Sequence, residues 1–168
     1  MINQTVTNAV NDQIKHELDS AYLYLSMSAY CESINLGGFA HWMREQFEEE
    51  MEHAMRLYDY LHARGGRVML PAIDKPQSEF GSPLEVFQQV LQHENHVTEL
   101  INNLYALAVK ENDYATQVEL QWFIAEQVEE EKTSGEIVEE LKLIGDSGPA
   151  LHKMNRQLGK RGMEKSGE

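Results

Sequence analysis

Apolar residues recur at intervals of three and four along four long stretches of this chain, the spacing that lines one face of an α-helix. The first stripe reads Val10, Ile14, Ala21 and Tyr24, and the second Phe39, Met43, Phe47, Ala54, Leu57 and Leu61. The third reads Phe87, Leu91, Val97, Ile101 and Leu104, and the fourth Leu120, Phe123, Ile137, Leu141 and Ile144. Together with the breakers between them, the stripes predict helices over residues 5–34, 39–64, 83–111 and 114–144, and a short fifth over 149–158. Gly37-Gly38, Gly65-Gly66 and Gly145 read as stops, and Ser82-Pro83 as an N-cap followed by a first-turn proline. Residues 67–81 contain Pro71 and Pro76 and show no helical period, so they form a long connection. The polar stretch 159–168 is expected to be a mobile tail.

Helices of about 26 to 31 residues span roughly 40 to 45 Å at 1.5 Å per residue. A connection of about 15 extended residues can travel back along such a length. Two tight turns and one long connection therefore predict two antiparallel hairpins joined by a crossover. The expected fold is an all-α four-helix bundle with its crossover between helices 2 and 3, a short fifth C-terminal helix, and one domain over 1–168.

Near its middle every stripe carries a polar residue where an apolar one belongs: Glu17, Glu50, Glu94, and on the fourth helix Gln127 and Glu130. The middles of antiparallel helices of similar length lie at one level, so these groups converge. An internal repeat points the same way. Adding 77 carries Glu17 to Glu94, Glu49 to Glu126, Glu50 to Gln127 and His53 to Glu130. Each half thus supplies one core carboxylate and an (i, i+3) pair one turn apart on a shared face. Burying a bare carboxylate costs of order 20 kcal/mol in the idealised limit and several after relaxation. Four cannot lie together ionised and unpaired, which leaves protonation or a pair of divalent cations. Oxygen-rich ligands with one imidazole, His53, suit iron or manganese better than structural zinc. An inward Glu on one helix with Glu-x-x-His on another is the di-iron carboxylate pattern of helical bundles.

Charge narrows the function classes. With 28 Asp+Glu against 14 Lys+Arg the formal net charge is −14, which argues against nucleic-acid binding and fits either solubility or attraction of cations. The single cysteine, Cys31, builds neither a disulfide framework nor a thiolate metal site and is expected to be a small core residue. No stretch approaches the ~20 apolar residues of a membrane span, and the N-terminus lacks the basic start of a leader, so a cytoplasmic location is expected. Glu48, Glu52 and Glu131 lie in acidic runs that read as wet faces, while His93 and His96 flank Glu94 but point elsewhere. His16, His41, His62 and His152 read as surface residues.

Glu17, the segment Glu49-Glu50-Met51-Glu52-His53, Glu94, and Glu126-Gln127-Val128-Glu129-Glu130 resemble the bacterial non-haem ferritins, over almost the whole chain and including Tyr24, Trp122 and the last helix. The resemblance implies a ferritin-like bundle in which Glu17, Glu50 and His53 hold one iron and Glu50, Glu94 and Glu130 a second, with Glu50 bridging and Gln127 alongside. It further implies a third site from Glu49, Glu126 and Glu129 sharing Glu130, with Tyr24 as the nearby aromatic residue. The implied activity is a ferroxidase that oxidises Fe2+ with O2 or peroxide and deposits ferric oxide inside a homo-oligomeric shell of 24 copies.

Departures from relatives sharpen this. Bacterioferritins carry Glu-x-x-His in both halves, whereas the second half here reads Gln127-x-x-Glu130. Met51 stands at their haem-ligating position, but non-haem members share it, and no haem is expected. Gln117 and Leu120 occupy the positions where animal ferritins line a threefold channel with acids. Two other readings use the same residues: a di-iron oxygenase acting on an organic substrate, and an interaction module whose core acids are protonated or salt-bridged.

Overall fold

The helices begin where side chains satisfy the backbone N–H groups that a first turn leaves unpaired. In the computed structural model, which describes residues 1–162, Asn3 caps α1 (Gln4–Ser33) by accepting from Val6 N at 2.8 Å. Ser82 and Glu85 form a reciprocal capping box at the start of α3 (Pro83–Lys110). Asp113 accepts from Thr116 N at 3.0 Å to start α4 (Tyr114–Ile144), which ends at Gly145 with φ +52°. The remaining helices are α2 (Gly37–Ala63) and α5 (Gly148–Leu158), and no helix among the described residues is long and apolar enough to cross a membrane.

The α1–α2 turn departs from the sequence reading. Gly37 and Gly38 do not break the chain but form the first residues of α2; Asn35, with φ +61°, makes the reversal. Leu36 offers α2 no side-chain cap. The cap comes instead from α5, where Asn155 Oδ1 accepts from Gly38 N at 2.8 Å and from Phe39 N at 3.2 Å. A Cβ on Gly38 would lie 1.6 Å from the Asn155 carbonyl oxygen, so the glycine is what lets the two helices approach.

The chain runs up α1, down α2, and back beside α1 through the crossover. Asn11 clasps the start of that crossover, donating to Arg67 O at 3.0 Å and accepting from Met69 N at 2.7 Å. Ser26 donates to Gln77 O at 2.6 Å and Tyr30 to Gly81 O at 2.6 Å, while Phe80 is buried. Helices α3 and α4 then form the second antiparallel hairpin, giving the expected four-helix bundle with its long crossover and short fifth helix.

Two apolar clusters fill the interior. One, toward the C-terminal end of α1, contains Tyr24, Met27, Phe39, Trp42, Phe87 and Met154; the other contains Val10, Ile14, Leu57, Ile101, Leu120 and Phe123. Cys31 is buried in the first. Between them lies a polar layer. Of the tail 159–168, Arg161 lies against α2, donating to Trp42 O at 3.3 Å; residues 163–168 are outside the described residues.

Candidate metal centre

The polar layer collects one face from each long helix. Glu17 from α1 and Glu50 and His53 from α2 place a ligand atom each within 4.8 Å of one another, all three residues being buried. His53 Nδ1 lies 3.4 Å from Glu50 Oε2 and 3.8 Å from Glu17 Oε2. Gln13, one turn before Glu17, donates to its Oε1 at 2.8 Å. Glu50 Oε2 is buried without a hydrogen-bond partner, an arrangement that costs free energy unless a cation or proton compensates. Two carboxylates, one with an orphaned oxygen, and an imidazole are a donor set that fits a divalent cation.

Glu94 from α3 and Glu130 from α4 complete the layer, each held by amides. Tyr24 donates its hydroxyl to Glu94 Oε1 in a short bond, and Gln127 Nε2 donates to Glu94 Oε2 at 3.1 Å. Gln46 Nε2 donates to Glu130 Oε2 at 3.0 Å. Glu94 is wholly buried and Glu130 partly so. Three further acids of the resemblance lie at the edge. Glu49 is paired with Arg161 at 2.6 Å, Glu126 is half-buried, and Glu129 is exposed, with Lys132 4.0 Å away.

Protonation in the cation-free chain follows from this crowding. Burial pushes Glu50 well above the usual carboxylate range, and the charges of Glu17 and Glu94 add to it against the pull of His53. Burial and the charge of Glu130 raise Glu94 to about 7. Burial also raises Glu130, with Glu49 adding and Gln46 and Arg161 opposing. For Glu17 burial acts upward too, but the nearby His53 and Glu50, with the bond from Gln13, outweigh it and hold the carboxyl below its ordinary value. Burial pushes His53 down, and the carboxylates of Glu17 and Glu50 beside it more than reverse this, lifting it to about 11. Tyr24 is driven well above its usual value by burial and by Glu94, so its hydroxyl keeps its proton and stays a donor. Without a cation, then, an imidazolium and shared protons offset the charge of the layer.

Residues 7–144 match the family described as Ferritin, the ferritin-like domain. The chain belongs to the ferritin family. This ferritin is 46% identical over 161 residues to the bacterial non-heme ferritin of Bacteroides fragilis (strain 638R), covering 96% of this chain and 100% of the relative. It is 38% identical to that of Staphylococcus saprophyticus over 166 residues, 99% of each chain. Among solved structures, an open pore ferritin from the hyperthermophilic archaeon Archaeoglobus fulgidus shares 48% identity at a TM-score of 0.95, covering 96% of this chain and 99% of that one.

Two residues that organise the ferritin layer, Gln13 and Gln46, were not singled out from sequence. Gln13 and Gln46 each lie one turn before a core glutamate and interrupt the apolar stripe, a signal hidden by the adjacent Ile14 and Phe47. Trp122 packs edge-on to His53 with ring centroids 5.2 Å apart, and Arg56 lies over Trp122 at 4.1 Å. His93 is half-buried: it bonds Ser20 Oγ at 2.8 Å, meets the Tyr24 ring at 5.9 Å, and is lowered to about 4 by burial and by His96. His41, read as a surface residue, is half-buried against the Arg161 carbonyl.

Proposed function

We propose that this ferritin is an iron-storage subunit that oxidises Fe2+ with O2 at a paired site in its polar layer. The observation that carries this is Glu50, whose orphaned buried oxygen belongs to a cluster with Glu17 and His53 and whose carboxyl also feels the charge of Glu94. In this reading Glu17, Glu50 and His53 hold one Fe2+, and Glu50, Glu94 and Glu130 the other, with Gln127 beside the second. Entry of the cations displaces the protons of His53, Glu50 and Glu94, because ligands bind deprotonated. Each Fe2+ supplies one electron, so a pair passes two to one O2, and peroxide is an alternative acceptor. Anionic oxygen ligands favour the smaller, more highly charged Fe3+. Tyr24 keeps Glu94 turned toward the layer. A third iron would lie among Glu49, Glu126, Glu129 and Glu130 once Glu49 is freed from Arg161.

Storage needs a closed assembly, and 24 copies in the cytoplasm is the arrangement we propose. Apolar surface supports self-association. Tyr114, Val118, Val128 and Leu143 on α4 and Met69 and Leu70 in the crossover are strongly exposed in the single subunit. The open pore described for the A. fulgidus relative makes pore geometry a property to measure for this shell. The test is aerobic Fe2+ oxidation by the assembled protein. Glu50→Ala and His53→Ala should each abolish the fast initial phase. Wild-type rates in both variants would remove the proposed centre. A native mass near 24 times 19.3 kDa with bound iron supports storage, whereas an iron-bearing dimer would favour an oxygenase instead.

A further inference from the structure

Arg161 lies three residues beyond the end of α5, and the described structure fixes it at both ends. Its carbonyl accepts from His41 Nε2 at 2.8 Å, which requires the tautomer protonated on that nitrogen. Its guanidinium lies 4.5 Å over the Trp42 ring, donates to Trp42 O at 3.3 Å, and reaches Glu49 Oε2 at 2.6 Å and Gln46 Oε1. Gln46 is 1% exposed, and the other end of its amide is the one that donates to Glu130.

The chemistry of this chain of contacts has a direction. A guanidinium can only donate, so it demands the oxygen end of the Gln46 amide. The nitrogen end must then face Glu130, where it donates to a carboxylate oxygen and leaves the second oxygen free. Without Arg161 only Glu130 would orient the amide, and rotation about the last side-chain bond, which is broad and roughly two-fold, would no longer be locked from both ends. A half-turn would set a carbonyl oxygen against the Glu130 carboxylate and push that side chain away.

We propose that Arg161 is a positioning residue of the two-cation site: through Gln46 it orients Glu130, so that docking of the segment after α5 on α2 sets the geometry of a ligand on α4. This rests on the reading of Glu130 as a ligand of the second cation. Removing such an outer partner typically weakens metal binding 10- to 100-fold. Simple charge effects run the other way, because deleting a cation beside a cation site should tighten binding.

The experiment is an anaerobic Co2+ titration of the assembled protein, followed by calorimetry and visible absorption. The wild type should take two Co2+ per subunit. Arg161→Ala should bind the first as the wild type does and the second at least about 10-fold more weakly. Arg161→Lys, which still presents only donors to Gln46, should recover part of the loss. Gln46→Leu leaves Arg161 on Glu49 and should show the same selective loss, with the double variant no worse than either single one. If Arg161→Ala does not assemble, the Gln46→Leu and Arg161→Lys arms decide the matter. A second equivalent that is unchanged or tighter in Arg161→Ala or in Gln46→Leu, or losses that add in the double variant, overturns the proposal. A wild type that binds fewer than two Co2+ instead removes the two-cation reading, and this inference with it.

Discussion

Adjacent glycines at the start of α2 should respond to the same substitution with opposite signs. A Cβ at Gly38 would sit 1.6 Å from Asn155 O and 2.6 Å from Asn155 C, both backbone atoms of α5. Ordinary contact needs about 3.5 Å, so α5 would have to retreat by roughly 2 Å. That retreat breaks the bonds from Gly38 N and Phe39 N to Asn155 Oδ1, worth about 1 kcal/mol each, and partly uncovers Met154, which is 2% exposed. Gly38→Ala should therefore cost about 2 to 4 kcal/mol. A Cβ at Gly37 meets nothing within 4 Å, and that residue has a φ an alanine accepts. Gly37→Ala should stabilise by about 0.4 to 1 kcal/mol through a less disordered unfolded chain. Denaturant unfolding at matched protein concentration, with limited proteolysis after residue 147 to report on α5, measures both. Equal midpoints for the two variants, with α5 protected in each, would refute the role assigned to Gly38.

The metal-free subunit should be more stable at pH 5.5 than at pH 8. Glu94 titrates near 7 when folded against an ordinary 4.5, so the folded state holds its proton more tightly and loses relative stability as pH rises between those values. Between pH 5.5 and 7 that amounts to about 2 kcal/mol. His53 acts in the same direction: its contribution is complete below its ordinary 6.5 and lost as pH climbs toward 11. Glu17, held below its ordinary value, contributes above 4.5 and loses that contribution only as pH falls further. Thermal melts of cation-free protein across this range check the slope, and a curve that rises with pH would contradict it. Glu94→Gln should flatten the slope and raise the cation-free melting temperature while abolishing the extra stability conferred by Co2+; a lower melting temperature would count against repulsion in the layer. Loading cations at pH 7 should release about one proton from His53 and about half of one from Glu94, with Glu50, raised by burial, acting in the same direction. Calorimetry in buffers of different ionisation enthalpy counts them, and no buffer dependence would exclude protonated ligands.

Much of this fold was legible in the chain because helices announce themselves locally. The stripes of three and four, Ser82-Pro83 and the capping acid Glu85 all act within a few residues of one another. The polar layer was legible for a related reason: a carboxylate in an apolar stripe is too costly to be indifferent. Gly38 was misread because its lack of a side chain serves Asn155, 117 residues away, and a tertiary contact leaves no local pattern. The same holds for Arg161, whose partners Trp42, Gln46 and Glu49 all lie on α2. Gln46 was passed over because an uncharged amide in a stripe costs little when bonded, and its partner Glu130 lies 84 residues on.

Crystals of the assembled protein soaked anaerobically with Fe2+ and measured on both sides of the iron edge would locate the metal directly. Two anomalous peaks should appear inside each bundle, one among Glu17, Glu50 and His53 and the other among Glu50, Glu94 and Glu130. Iron found only on the outer acidic faces, with the bundle interior empty, would contradict the account.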